Sequence, residues 1–152
     1  MRASVRREVV VEVDADDARR VLGRPQLLHH WFPGVVDCQV VGDTRTVTLA
    51  TGLTLDETIL TNDALLRRFQ YRIVGGFFTE HLATMDVIAL EPGRCLITYG
   101  TDAAPATMAI VLGGATEAAL AELRRQLEAG AGPAVEAAAA AAATEAATEE
   151  VA

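Results

Sequence analysis

Residues Gly42–Leu53 read GDTRTVTLATGL; they lead into DETIL at Asp56–Leu60 and, after a gap, into FQYRIVGG at Phe69–Gly76. Short runs rich in β-branched residues, bounded by Gly-Asp and Thr-Gly dipeptides, are the signature of strands joined by tight turns. The surrounding text repeats it. VVDCQVV, RTVTLA, LTLDETIL, RRFQYRIV, HLATMDVIAL and RCLITYG, separated by GD, TG, ND, GG and PG, predict an antiparallel meander of six strands between Val35 and Thr101.

The flanks read differently. VRREVVVEV, Val5–Val13, predicts a first strand, and DADDARRVLG after it a short helix capped by Asp14 or Asp16. Pro25 suits the first turn of a second short helix through QLLHHW, which Pro33 and Gly34 stop. After Asp102 a long helix is expected, opened by Pro105, with Met108, Leu112, Ala115, Ala119, Leu123 and Leu127 in one stripe. Gly113 and Gly114 inside it predict a kink or a later start. Beyond Gly130 the text is Ala- and Glu-rich, with Val135 its single large apolar residue before the end; a fraying helix or disordered tail outside the core is expected. The division is a single domain over 1–130 and a low-complexity tail over 131–152.

Composition bounds the function. A chain of 152 residues, 51% hydrophobic, builds one core. No apolar run of membrane-spanning length and no signal peptide is read, so a soluble, cytoplasmic protein is expected. Cys38 and Cys95 are too few for a disulfide framework and read as small buried hydrophobes. The formal charge of −8 argues against nucleic acid and anionic membranes as partners. All 13 basic residues are arginine and the one serine is Ser4, which removes lysine imines and serine nucleophiles. His29 and His30 are adjacent, about 100° apart on a helix, with no third ligand at helical spacing, so neither metal nor cofactor is expected.

Side chains alternate across a strand, which groups Leu53, Leu55, Glu57 and Ile59 on one face, then Phe69, Tyr71 and Ile73, then His81, Ala83, Met85 and Val87. Glu57 therefore sits among apolar neighbours, where it is a polar anchor, a general acid, or a residue on a misassigned face. His81 is placed to approach it. Arg68 and Arg72 alternate with the inward set and should point out, leaving no cation inside and favouring neutral ligands over acids. Trp31 and Phe32 seal the joint between second helix and sheet or line a mouth; Phe77 and Phe78 are a lid, a dimer contact or folded-back core.

One strand, two short helices, six antiparallel strands and a long helix is the order of the α+β helix-grip fold, a seven-stranded antiparallel curved sheet wrapped around its C-terminal helix. From Val9 to Glu128 the chain resembles the START/Bet v 1-like superfamily, especially the bacterial polyketide cyclase/dehydrase group and, distantly, the plant abscisic acid receptors. RPQ at Arg24–Gln26, VVDCQV at Val36–Val41, GDTRTV with TGL at Thr51–Leu53, ETIL with Asp63, and YRIVGG at Tyr71–Gly76 carry the resemblance. Only TLD separates TGL from Glu57, which shortens the receptors' gate, and Val36 stands where they hold a ligand carboxylate with lysine. The resemblance implies a cavity between sheet and helix for a small hydrophobic molecule, a lipid, polyketide or isoprenoid. Its expected lining is Glu57, Tyr71, His81, Phe69, Leu53, Leu55, Met85, Trp31, Phe77, Phe78, Met108 and Leu112, with Val36 beside them. Cyclisation or dehydration by a Glu/His/Tyr set, and a regulatory protein with a vestigial cavity, are the alternatives; a monomer or homodimer is expected.

Overall fold

The computed structural model describes residues 1–152. In chain order the elements are β1 (Ala3–Val11), α1 (Ala15–Leu22), a 3-10 helix (Pro25–His30), β2 (Val35–Val41), β3 (Thr44–Leu49), β4 (Thr54–Asp63), β5 (Arg68–Val74), β6 (Glu80–Glu91), β7 (Arg94–Ala104), α2 (Ala106–Ala129) and α3 (Pro133–Val151). The strands form one antiparallel sheet in the order β1-β7-β6-β5-β4-β3-β2. Strands β2 to β7 follow one another because short turns leave no room for a crossover. The first strand closes the far side, pairing Ala3 with Ala103 through Val11 with Cys95. This is the helix-grip arrangement that the element order predicts.

Helix α2 lies against β1 and β7. Its C-terminal half buries Ala119, Leu120, Leu123 and Leu127. Each leucine removed from water contributes about 1.5–3 kcal/mol. Its N-terminal half presents a different face from the one expected: Ala109, Gly113 and Thr116 are buried, Met108, Leu112 and Ala115 are half-buried, and Ile110 and Val111 are exposed. Gly113 explains this, since a Cβ there would lie 2.7 Å from Val5 Cγ1. The glycine admits close approach to β1, and the helix runs unbroken through the pair. By length and composition α2 meets the requirement for a membrane span, with an 18-residue window of mean hydropathy 1.3, contrary to the expectation of no apolar run of that length.

Two local expectations change. Asp14 holds the N-cap position of α1, but its carboxylate makes no cap hydrogen bond; Oδ1 instead accepts from the backbone N–H of Gly93 at 2.6 Å, tying α1 to the β6–β7 turn. The segment after Gly130 does enter the core. It forms α3, and Ala134 and Ala138 are buried in the same apolar cluster as Val21 and Leu127. Buried Gln126 makes the joint: its Nε2 donates to the His30 carbonyl and its Oε1 accepts from Ala134 N, each at 2.9 Å. Val135 and Ala137 pack against the same cluster, and alanine is small enough to let the helix sit close to its neighbours, which composition alone does not reveal.

Candidate functional site

On β3, Arg45 and Val47 turn inward between threonines that face out. The β3–β4 register sets Arg45 opposite Glu57 and Val47 opposite Leu55, so opposite charges meet across the strands. Arg45 is 1% exposed and Glu57 4%. Arg45 Nε donates to Glu57 Oε2 at 2.5 Å and Nη1 to the Pro25 carbonyl at 3.3 Å. The guanidinium carbon stands 4.7 Å from the Tyr71 ring centroid and 5.3 Å from that of Phe69, within cation–π range. Nη2 is buried with no hydrogen-bond partner. Beside this group Tyr71 and Tyr99 join hydroxyl to hydroxyl at 2.5 Å.

Burial governs the protonation of these groups. It pushes the Glu57 carboxyl up, while the charge and hydrogen bond of Arg45 pull it back. It works against the charge of Arg45, and the charge and hydrogen bond of Glu57 together with the neighbouring Tyr71 and Tyr99 more than offset this, so the guanidinium stays charged. Burial carries Tyr71 well above its ordinary value and Tyr99 to about 12, which keeps both as neutral hydroxyls. Burial also drives Cys38 up to about 11, holding it as a thiol that donates to Pro25 O at 3.3 Å.

Glu57, Phe69, Tyr71 and Met85 are inward and buried, and Leu55 is half-buried on the same face. His81 is buried too, yet it does not reach Glu57. The register places Ile73 opposite Glu57, and His81 Nδ1 accepts from Ile73 N at 3.0 Å, so β5 stands between them. Of the expected Glu57–Tyr71–His81 constellation, Tyr71 touches both sides, its ring 5.6 Å from that of His81 and beneath the Arg45 guanidinium that holds Glu57, while Glu57 and His81 do not meet. Leu53 is corrected as well: it lies in the turn before β4 and is 44% exposed. Val36 is 57% exposed, because a register shift between Val35 and Asp37 leaves Val35 and Cys38 as the inward residues. Trp31 is in the core; Phe77 is exposed, and Phe78 packs edge-on against His81 with centroids 5.1 Å apart. Ile73, Phe78 and His81 help line a depression of about 300 Å³ at the β5–β6 turn.

Arg45 and Tyr99 escaped the sequence reading. Each carries a signal, since Arg45 alternates with Val47 and Leu49, and Tyr99 with Cys95 and Ile97. The expectation of an interior without a cation is overturned by Arg45; Arg68, which pairs with Asp86, and Arg72 are exposed as predicted. No three His, Cys, Asp or Glu side chains come together as a metal site, and the rings of His29 and His30 lie 4.0 Å apart.

A family profile described as "Polyketide cyclase / dehydrase and lipid transport" matches residues 2–128. No curated protein sequence matches significantly. Among solved structures, an uncharacterised protein from Bacillus thuringiensis is similar at TM-score 0.77 and 18% identity, covering 82% of this chain and 98% of that one. A norcoclaurine synthase from Thalictrum flavum is similar at TM-score 0.67 and 21% identity, over 84% and 94% of the two chains. A START superfamily protein from Mycobacterium smegmatis is similar at TM-score 0.67 and 16% identity, over 83% and 94%. At these identities the likeness is one of fold.

Proposed function

We propose, starting from the fact that this chain belongs to the polyketide cyclase/dehydrase and lipid transport family, that it binds a small, largely apolar molecule carrying a neutral hydrogen-bond acceptor, on the concave face of the sheet. The observation that carries this reading is Arg45 Nη2, a charged donor that is buried and unpartnered. Leaving such a donor unpaired costs about 1–3 kcal/mol or more, which a ligand carbonyl or hydroxyl offsets. The inward side chains of Leu55, Phe69 and Met85 suit an apolar body. A carboxylate fits worse, because Glu57 already balances Arg45 and would stand beside the incoming charge.

Binding is preferred to cyclisation because the candidate proton carriers are committed. Arg45 holds the Glu57 carboxylate, His81 Nδ1 accepts from the backbone, and the two tyrosines bond each other. The test uses the single tryptophan, buried Trp31, as reporter. In fluorescence titrations at pH 7, 1-decanol should bind more tightly than decanoic acid by about tenfold, roughly 1.4 kcal/mol. Tighter binding of the acid would overturn the reading, and so would undiminished decanol affinity in the Arg45→Met/Glu57→Gln double variant.

A further inference from the structure

Where the end of α1 meets the 3-10 helix and the β4–β5 turn, Arg19, Arg20, Arg24, Gly23, Asn62 and Glu145 border an open depression of about 460 Å³. It opens on the outside of the molecule, on the far side of Pro25, whose carbonyl accepts from Arg45. Most arginines here have a carboxylate. Arg20 pairs with Asp17 at 2.9 Å and Arg67 with Asp16 at 2.8 Å. Arg19 makes no ion pair: it donates through Nη2 to the neutral Asn62 Oδ1, and its Nε is buried with no partner. Gly23 makes room for it, since a Cβ there would fall 1.6 Å from Arg19 Nη1. Asn62 Nδ2 in turn donates to Gly23 O at 3.0 Å, so the cradle is braced on both sides.

Arg24 completes the site. Its Nη1 donates to the Arg20 carbonyl at 2.6 Å, capping the end of α1, and its Nε is buried without a partner. Its one carboxylate, Glu145, comes from α3, 121 residues away in the chain, and meets Nη2 at 2.7 Å. The acid is largely exposed, while α3 is anchored through Ala134 and Ala138 near its start. Asp16 and Arg20 border the depression as well, but Asp16 pairs with Arg67 and Arg20 with Asp17, which leaves Glu145 as the carboxylate set against Arg19 and Arg24.

We propose that Arg19 and Arg24, braced by Gly23 and Asn62, form an oxyanion site for a phosphate-bearing small molecule, and that Glu145 occupies it in competition with that ligand. A dianion matches two adjacent guanidiniums, which present N–H donors in the planar fork that phosphate oxygens accept. Glu145 pairs with Arg24 alone, and Arg19, with Asp63 near it, has no carboxylate in direct contact.

The probe is inorganic phosphate, titrated into the full chain at constant ionic strength and followed by the arginine Nε–H resonances. Glu145→Gln should raise phosphate affinity at least fivefold over the wild type. Adding Arg19→Gln and Arg24→Gln to that variant should lower affinity at least tenfold, whereas adding Arg125→Gln, on the surface of α2, should leave it unchanged. If the double arginine replacement unfolds the corner, Asn62→Asp serves instead. It sets a carboxylate against Arg19 and should block phosphate with both arginines in place. Equal affinity in wild type and Glu145→Gln, or binding that survives Asn62→Asp, would overturn the proposal.

Discussion

Removing either member of the Arg45–Glu57 pair leaves the other charge enclosed without a counter-charge, at a cost of about 3–5 kcal/mol. Removing both does not. Glu57→Gln or Arg45→Met alone should each lower the urea midpoint sharply, while the double variant should recover most of the loss. A double variant as unstable as the sum of the singles would mean that the two side chains act independently. Glu57 was readable as an inward carboxylate because Leu55 and Ile59 flank it at the strand period. Arg45 carries a weaker signal: TRTVTL alternates an arginine, a valine and a leucine with three threonines, and threonine suits either face of a sheet. Only the pairing of β3 with β4 brings it opposite Glu57.

Helix α3 shows the same limit at the level of an element. Its helicity follows from alanine content, and a single large apolar residue before the end, Val135, argues for a place outside the core. What seats it is supplied by other elements: the Gln126 amide, the His30 carbonyl and the apolar wall of Val21 and Leu127. Truncation after Gly130 should therefore lower the thermal midpoint by about 5 °C or more, the scale of about 2 kcal/mol for a chain of this length. An unchanged midpoint would show that α3 rests on the body without stabilising it. In α2 the glycine pair acts through packing and leaves the helix unbroken. Helix propensity predicts a break at Gly113, and the nearness of Val5 makes that residue a contact point.

The molecule as a whole should lose stability on acidification, and His81 contributes a defined part of that loss. Burial lowers its pKa to about 4 against a weaker upward pull from Asp102, so the folded state holds the imidazole neutral. The unfolded chain, with a pKa near 6.5, binds a proton sooner. The contribution is complete above about pH 6.5 and is lost progressively as pH falls toward 4. Urea midpoints at pH 7 and pH 4.5 should differ more for the wild type than for His81→Gln, and equal differences would show that His81 is not the group responsible. The sequence by itself determined the strands, their order and the long helix, because strand period, turn residues and helical stripes are local properties of the chain. It also determined the inward faces of β5 and β6, where one apolar series has no competitor. Tertiary structure alone decided that Arg45 faces Glu57, that β5 stands between Glu57 and His81, that Val36 points out, and that an alanine helix closes over the end of α2. Each of these depends on register, on a bulge, or on the fit of surfaces distant in the chain, and none of the three is written in the spacing of neighbouring residues.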